Sequence, residues 1–445
     1  MKRKLSTVLM ATAMLSGVLA GCGGQSQQAG GGTPGSSSTT PNASTAAATS
    51  GGSGGKTTLQ FWHSLGGKNG EYFDSMIKSF NESQNKIEVV GTFQGSYDEM
   101  VTKLQQAVAA KTAPDVAMLE RAYIQMFADS DVLADMNPYL KNSGMSVDDF
   151  VPGLMGHSTF DKKLVSLPFN RSTPILHINK AMLDEKGLAI PKTWDDLKKV
   201  ANALVVKEGN EYTRYGLSMP FDTWYPIAMI TQAKGKFFND AGTSIGFENG
   251  EGVKTFSYLK DLQGTGALFY PPAKDSGNIV NNMFTSGKIG MMFQSTGVIG
   301  SLSANAKFEY VTAFMPMDQV YATPTGGANL AMMDDSKSKD AAWEFLRWVM
   351  TNPKGGQQFV INSGYLPFTK KMVESQEIKD LWAKEPARKV AYEQLQYAVD
   401  TNKHVAWTQV NQEFNKAIEA IMYDNKDIQA TLDNFKKETE RILKQ

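Results

Sequence analysis

From residue 57 onward the chain sets short, continuously apolar runs against longer segments whose apolar positions recur every three to four residues. Residues 58–62, Thr-Leu-Gln-Phe-Trp, read as a first strand, 64–70 as a glycine-bearing turn and 72–81 as a helix. Residues 87–92 form a second apolar run, and the next segment carries Met100, Leu104, Ala107 and Val108 at i, i+4, i+7 and i+8, the stripe of an amphipathic helix. Residues 114–120 are a buried-type strand that ends in an acid, Glu120. Strand, helix, strand, helix, strand predicts a parallel sheet with helices on both faces. Ligands of such sheets sit beyond the carboxyl ends of the strands, where Trp62, Tyr97 and Glu120 fall.

The stretch 168–180, PFNRSTPILHINK, predicts a short polar corner that runs straight into a strand. Pro168 and Pro174 oppose helix, Asn170, Ser172 and Thr173 supply side-chain donors and acceptors, and Ile175, Leu176 and Ile178 give the apolar run. Asn179 is placed to cap a helix that begins near Lys180. Such a corner would hold the Ser172 hydroxyl on rigid support, as a site for a small polar molecule requires, although by composition it is equally an ordinary loop-to-strand junction. At the far end of the chain Ile428, Leu432, Phe435 and Ile442 share one helical face, which predicts a packed terminal helix.

The first residues follow a different rule. Lys2, Arg3 and Lys4 precede an apolar run, 5–19, too short to span a bilayer comfortably, and the run ends in Leu19-Ala20-Gly21-Cys22. This resembles a bacterial lipobox, so residues 1–21 are expected to be a lipoprotein signal peptide and Cys22 the lipidated N-terminus. Cys22 is the only cysteine, so no intramolecular disulfide is available. Residues 22–56, almost all small and polar, are expected to be a disordered tether. No other stretch is apolar for long enough to cross a membrane.

Charge and composition narrow the chemistry. Lys plus Arg and Asp plus Glu both number 45, which leaves no basic field for nucleic acid. The four histidines, His63, His157, His177 and His404, show no metal-ligand spacing, so no metal and no cofactor is expected.

Several motifs together resemble the extracellular solute-binding proteins of ABC importers. The general marks are 283–292, Met-Phe-Thr-Ser-Gly-Lys-Ile-Gly-Met-Met, and 342–346, Ala-Trp-Glu-Phe-Leu. Narrower marks resemble the glycerol-3-phosphate-binding members: Phe61-Trp62-His63-Ser64, the FNRSTP run at 169–174, Gly326-Gly327-Ala328 and Ser363-Gly364-Tyr365-Leu366-Pro367. The resemblance implies an α/β, two-lobed periplasmic-binding-protein-like fold, each lobe a sheet flanked by helices and joined by hinge crossings. Lobe one would hold 57–168 plus 302–350 and lobe two 169–301 plus 351–445, with the first crossing between Pro168 and Asn170.

By the same resemblance the solute contacts would be Tyr97, Glu120, Ser172, Trp224, Ser295, Gly327 and Tyr365. Glu120 suits a hydroxyl, the Tyr and Ser residues offer hydroxyl partners, Trp224 a flat wall, and Gly327 a close backbone approach. The chain departs from the family where an arginine would meet the phosphate. It reads Asp400-Thr401-Asn402-Lys403-His404-Val405 there, so Lys403 is the candidate to supply the charge, without the arginine fork. The implied protein is not an enzyme. It is a monomeric, extracytoplasmic, lipid-anchored binding component that captures glycerol-3-phosphate or a glycerophosphodiester by closure of two lobes and passes it to ABC permease subunits. A neutral sugar or oligosaccharide is the alternative solute. An extracytoplasmic glycoside hydrolase is the rival from another class, disfavoured because Glu120 has no second acid among the matched positions.

Overall fold

The computed structural model describes residues 55–444. The signal peptide, Cys22 and nearly all of the tether expected above lie outside the described residues. Two sheets organise the chain. Strands β1 (Thr57–His63), β2 (Ile87–Phe93) and β3 (Val116–Glu120) are parallel, as their pattern predicts, and are linked by α1 (Gly67–Ser83) and α2 (Tyr97–Ala109). Alternation along β3 decides the layering: Ala117 and Leu119 face the core that holds α2, while Val116 and Met118 face the core that holds α1. A capping box between Ser96 and Glu99 fixes the start of α2 and hence the position of Tyr97, its first residue.

The second sheet begins at a buried corner. Strand β4 (Leu167–Ser172) belongs to the first sheet and β5 (Pro174–Asn179) to the second, so the crossing falls at Thr173 and not between Pro168 and Asn170. The reason is register: Asn170, Arg171 and Ser172 stay paired with residues 326–328 of the first sheet. Asn179 caps α3 (Lys180–Glu185) by accepting from the Met182 amide, as expected. The second sheet adds β6 (Val206–Glu208), β7 (Glu211–Ser218), β8 (Leu268–Phe269), β9 (Ile289–Ser295) and β10 (Tyr310–Ala313). Its order is β8-β7-β9-β5-β10, with β6 on β7. Strand β11 (Gly326–Met332) then returns to the first sheet and inserts antiparallel between β3 and β4, giving the order β2-β1-β3-β11-β4.

Packing redraws the expected division of the chain. Residues 310–313 pair with β5 in the second sheet, so the part of 302–350 that precedes β11 does not go with lobe one. Phe359, Val360, Leu366, Phe368, Met372 and Ile378 join the core of the first sheet, together with Phe345 of the helix 339–351, so 351–445 is not one body with lobe two. Of that stretch only the helices Trp407–Met422 and Ile428–Leu443 return to the core of the second sheet. There Phe414 packs edge-on and Phe435 tilted against Phe237, and the last helix buries Leu432, Phe435 and Ile442 as its pattern predicts. A short parallel pair, Thr323–Pro324 against Ala398–Val399, lies where the chain passes between the two sheets.

Candidate functional site

A cavity of about 590 Å³ opens where the carboxyl ends of β3 and β9 approach one another. Tyr97, Glu120, Ser172, Trp224, Ser295, Gly327 and Tyr365 all line it. Each is positioned by a chain terminus of a regular element. Tyr97 opens α2, Glu120 ends β3, Ser172 ends β4, Ser295 ends β9, and Trp224 opens α4 (Trp224–Gln232). Tyr365 is held by stacking on Phe359, with ring centroids 5.7 Å apart, so it comes from the first sheet's core and not from lobe two. Gly327 has a left-handed φ of +78°, and a Cβ there would stand 1.9 Å from the Asn170 carbonyl oxygen, so only glycine fits.

Lys403 does not join them. Its ammonium donates to the Gly156 carbonyl at 3.0 Å, lies 4.8 Å over the Phe160 ring and faces a separate cavity of about 610 Å³. The cause is local: Asn402 adopts φ +48°, a left-handed turn that presents Asn402 to the solute cavity and sends Lys403 the other way. The charge expected to replace the family's arginine is therefore absent from that position.

Sequence reasoning missed Arg121, Asp98, Asp222, Tyr123 and Asn402, all on the cavity wall. Arg121 is 1% exposed. Its guanidinium donates to the Thr325 carbonyl, to the Thr401 carbonyl at 3.1 Å and to Asn402 Oδ1 at 3.2 Å, and its Nε stands 3.9 Å from Glu120. A second buried arginine, Arg171, lies behind the wall and donates to Gly326 O, Leu154 O and Asn329 Oδ1, each at 2.9 Å. Burial, with Arg121 nearby, lowers its pKa to about 9. The one readable signal for Arg121 was adjacency to Glu120 at a strand end, because a single buried arginine leaves no trace in periodicity.

The carboxylates are the less expected finding. Asp222 lines the cavity from the loop before α4 with much of its surface open; the protein packed around it, with Asp98 adding to it, pushes its pKa upward, opposed by the Trp224 amide that hydrogen-bonds it at 2.8 Å. Asp98 accepts from the Tyr123 hydroxyl. Burial raises Glu120 as well, opposed chiefly by Arg121 and by the Ala122 amide at 2.8 Å.

Donors gather elsewhere on the wall. The Tyr97 hydroxyl oxygen accepts from Asn170 Nδ2 at 2.8 Å, and Ser295 Oγ accepts from the Gly297 amide at 3.1 Å, so both hydroxyl protons remain to be given away. Trp224 Nε1 is buried without a partner. The first residues of α5 (Ser276–Thr285), Ser276 and Gly277, also reach the cavity, and its cap residue Asp275 accepts from the Asn278 side chain and not from the helix's first backbone amides. Among the described residues no group of three or more His, Cys, Asp or Glu is arranged to hold a metal, and no helix is long and apolar enough to cross a membrane.

Comparisons with known proteins agree with this geometry. Residues 75–388 match the family model of the bacterial extracellular solute-binding proteins. The sn-glycerol-3-phosphate-binding periplasmic protein UgpB of Escherichia coli K12 is 26% identical over 358 residues, covering 76% of this chain and 80% of that protein. UgpB of Mycobacterium tuberculosis, solved with glycerophosphocholine, superposes with a TM-score of 0.78 at 24% identity, over 88% of this chain and 99% of that one. The substrate-binding protein Lmo0181 of Listeria monocytogenes, solved with cycloalternan, gives 0.78 at 22% identity, over 87% of this chain and 98% of that one. The α/β architecture is thus the periplasmic-binding-protein-like fold, and the protein is a transport component and not an enzyme. With 314 of its 445 residues spanned by that model (75 to 388 inclusive), the chain belongs to the bacterial extracellular solute-binding protein family.

Proposed function

We propose that this protein captures a glycerophosphodiester whose head group carries a positive charge, for delivery to an ABC permease, while anchored through a lipid at Cys22. The observation that carries the reading is that one cavity wall holds both neutral donors (Tyr97, Trp224, Ser295 and Tyr365) and carboxylates (Asp98, Glu120 and Asp222). A phosphodiester has a single negative charge for the donors and a cationic or hydroxylated end for the carboxylates. Glycerol-3-phosphate itself fits less well. Its phosphate is close to doubly charged at neutral pH, Arg121 is fully engaged within the protein, and no other cation lines the cavity among the described residues.

The M. tuberculosis relative solved with glycerophosphocholine supports this choice, while the resemblance to E. coli UgpB supports a glycerol phosphate more broadly. Wall residues come from elements of both sheets, so a solute that touches both favours a closed arrangement over an open one. A neutral oligosaccharide is the second reading, favoured by the aromatic faces of Phe221, Trp224 and Trp407 on the same wall.

Calorimetry with glycerophosphocholine, glycerol-3-phosphate and maltotriose tests the proposal. Tightest binding of glycerophosphocholine is expected. Glycerol-3-phosphate binding ten times tighter would overturn the charge argument, and binding of maltotriose alone would move the assignment to the second reading.

A further inference from the structure

Asn170 is a fully buried amide that the solute cavity does not need for its shape, yet the structure fixes it with unusual care. Its backbone oxygen lies where a Cβ on Gly327 would be, and β11 carries an irregularity of register at Ala328 and Asn329 opposite it. Its side chain turns toward a phenol of the wall. Nδ2 donates to the Tyr97 hydroxyl at 2.8 Å. Oδ1 is buried with no partner. A buried amide with an unpaired oxygen is costly, and its orientation is maintained by what the nitrogen does.

The consequence is chemical. A phenol oxygen that accepts from an amide keeps its own proton free, so that proton points toward the cavity as a donor. A carboxylate in the place of Asn170 would do the reverse: it would take the phenol proton and leave lone pairs facing the solute. We propose that Asn170 is a positioning residue that sets Tyr97 as a hydrogen-bond donor, and so makes this part of the cavity select an anionic oxygen over a hydroxyl. The selectivity half of this inference rests on the phosphodiester reading above.

The test has one arm without solute and one with it. In solute-free protein carrying isotope-labelled tyrosine, the phenol C–O stretch in the infrared lies lower when the oxygen accepts a hydrogen bond than when the hydroxyl donates one, because donation moves the C–O bond toward its phenolate form. Tyr97→Phe assigns the Tyr97 band. Asn170→Asp, nearly isosteric, should move that band up, and Asn170→Leu, which removes the donor without adding charge, should shift it away from the accepting position if the aspartate variant fails to fold.

In the second arm, glycerophosphocholine should bind Asn170→Asp about 30-fold more weakly than wild type, the loss expected when a charge-assisted hydrogen bond is reversed. The same substitution on a Tyr97→Phe background should cost nothing further, because the group it acts through is gone. An unmoved Tyr97 band in a folded variant overturns the positioning role whatever solute binds. A moved band with unchanged glycerophosphocholine affinity overturns the selectivity. Wild-type protein that does not bind glycerophosphocholine sinks the phosphodiester reading, while the infrared band still decides what Asn170 does.

Discussion

Replacing Arg121 by methionine keeps most of the side chain's length and removes only the guanidinium. That group is buried and ties together three separate pieces of chain: the end of β3, Thr325 just before β11, and Thr401 with Asn402 beside the cavity. Without it, the Thr325 and Thr401 carbonyls lose a donor in a place water does not reach, at about 1–3 kcal/mol each. Glu120, 3.9 Å from Arg121 Nε, loses the neighbour that most opposes its protonation, so its pKa should rise further. Removing a desolvated cation returns part of this, and the net loss should be about 3–5 kcal/mol, the range for one partner taken from a buried pair. Urea denaturation of wild type and variant measures it directly. Solute affinity should fall in parallel, because Asn402 faces the cavity only while Arg121 holds it. A stability change below about 1 kcal/mol would refute the reasoning, since it would mean these hydrogen bonds contribute no more than exposed ones.

Trp224→Ala should weaken solute binding by more than about 1 kcal/mol while costing less stability than the roughly 3–5 kcal/mol of a core tryptophan, because the ring faces the cavity on one side and Gly326 on the other; a large fall in Tm with unchanged affinity would reverse this. Lys403→Gln should leave affinity for glycerophosphocholine unchanged in calorimetry, since its ammonium is bound to Gly156 in another cavity, and a tenfold loss would return Lys403 to the site. Acid should destabilise the fold. Burial lowers His157 and His177 from 6.5 to about 4, so the unfolded chain binds more protons below pH 6.5 and stability present above that pH is lost as pH falls toward 4. Between pH 7 and pH 5 the loss should be about 2 kcal/mol for each histidine, and a flat denaturation profile over that interval would contradict it. Cys22→Ala should release the protein from membranes after a salt wash with its solute affinity intact, and retention of a correctly cleaved variant would exclude the lipid anchor.

The strands and helices of residues 57–120 were legible to within a few positions, because period-2 and period-3.6 patterns there coincide with one buried face each. Trp224 shows where pattern misleads. Pro220 and Pro226 suggest a loop, but Pro226 lies in the first turn of α4, where its missing N–H is not required. The return of β11 to the first sheet was legible only through the family resemblance, which assigned 302–350 to lobe one; the run 326–332 by itself looks the same beside either sheet, since a strand's partners are set by tertiary packing. Lys403 failed for a smaller reason: one residue in the left-handed region exchanges which of two neighbours faces inward, and asparagine gives only a weak hint of it. The carboxylates escaped notice because Asp98 and Asp222, over 120 residues apart in sequence, become a pair only through folding.

The path of β11 also governs the order in which this chain can mature. β3 ends at residue 120 and one of its two neighbours in the sheet, β11, begins at residue 326, beyond every strand of the second sheet and beyond β4, the other ladder partner of β11. A chain that emerges N-terminus first therefore presents β3 with a bare edge until residue 332 is available, and closing so long a loop is entropically slow. The early strands cannot complete a stable sheet while export is under way, which keeps the leading part of the chain threadable. The same delay leaves an apolar edge, Val116 to Leu119, open to the wrong partner during that interval, and makes truncation anywhere before residue 326 a route to aggregation and not to a smaller folded domain.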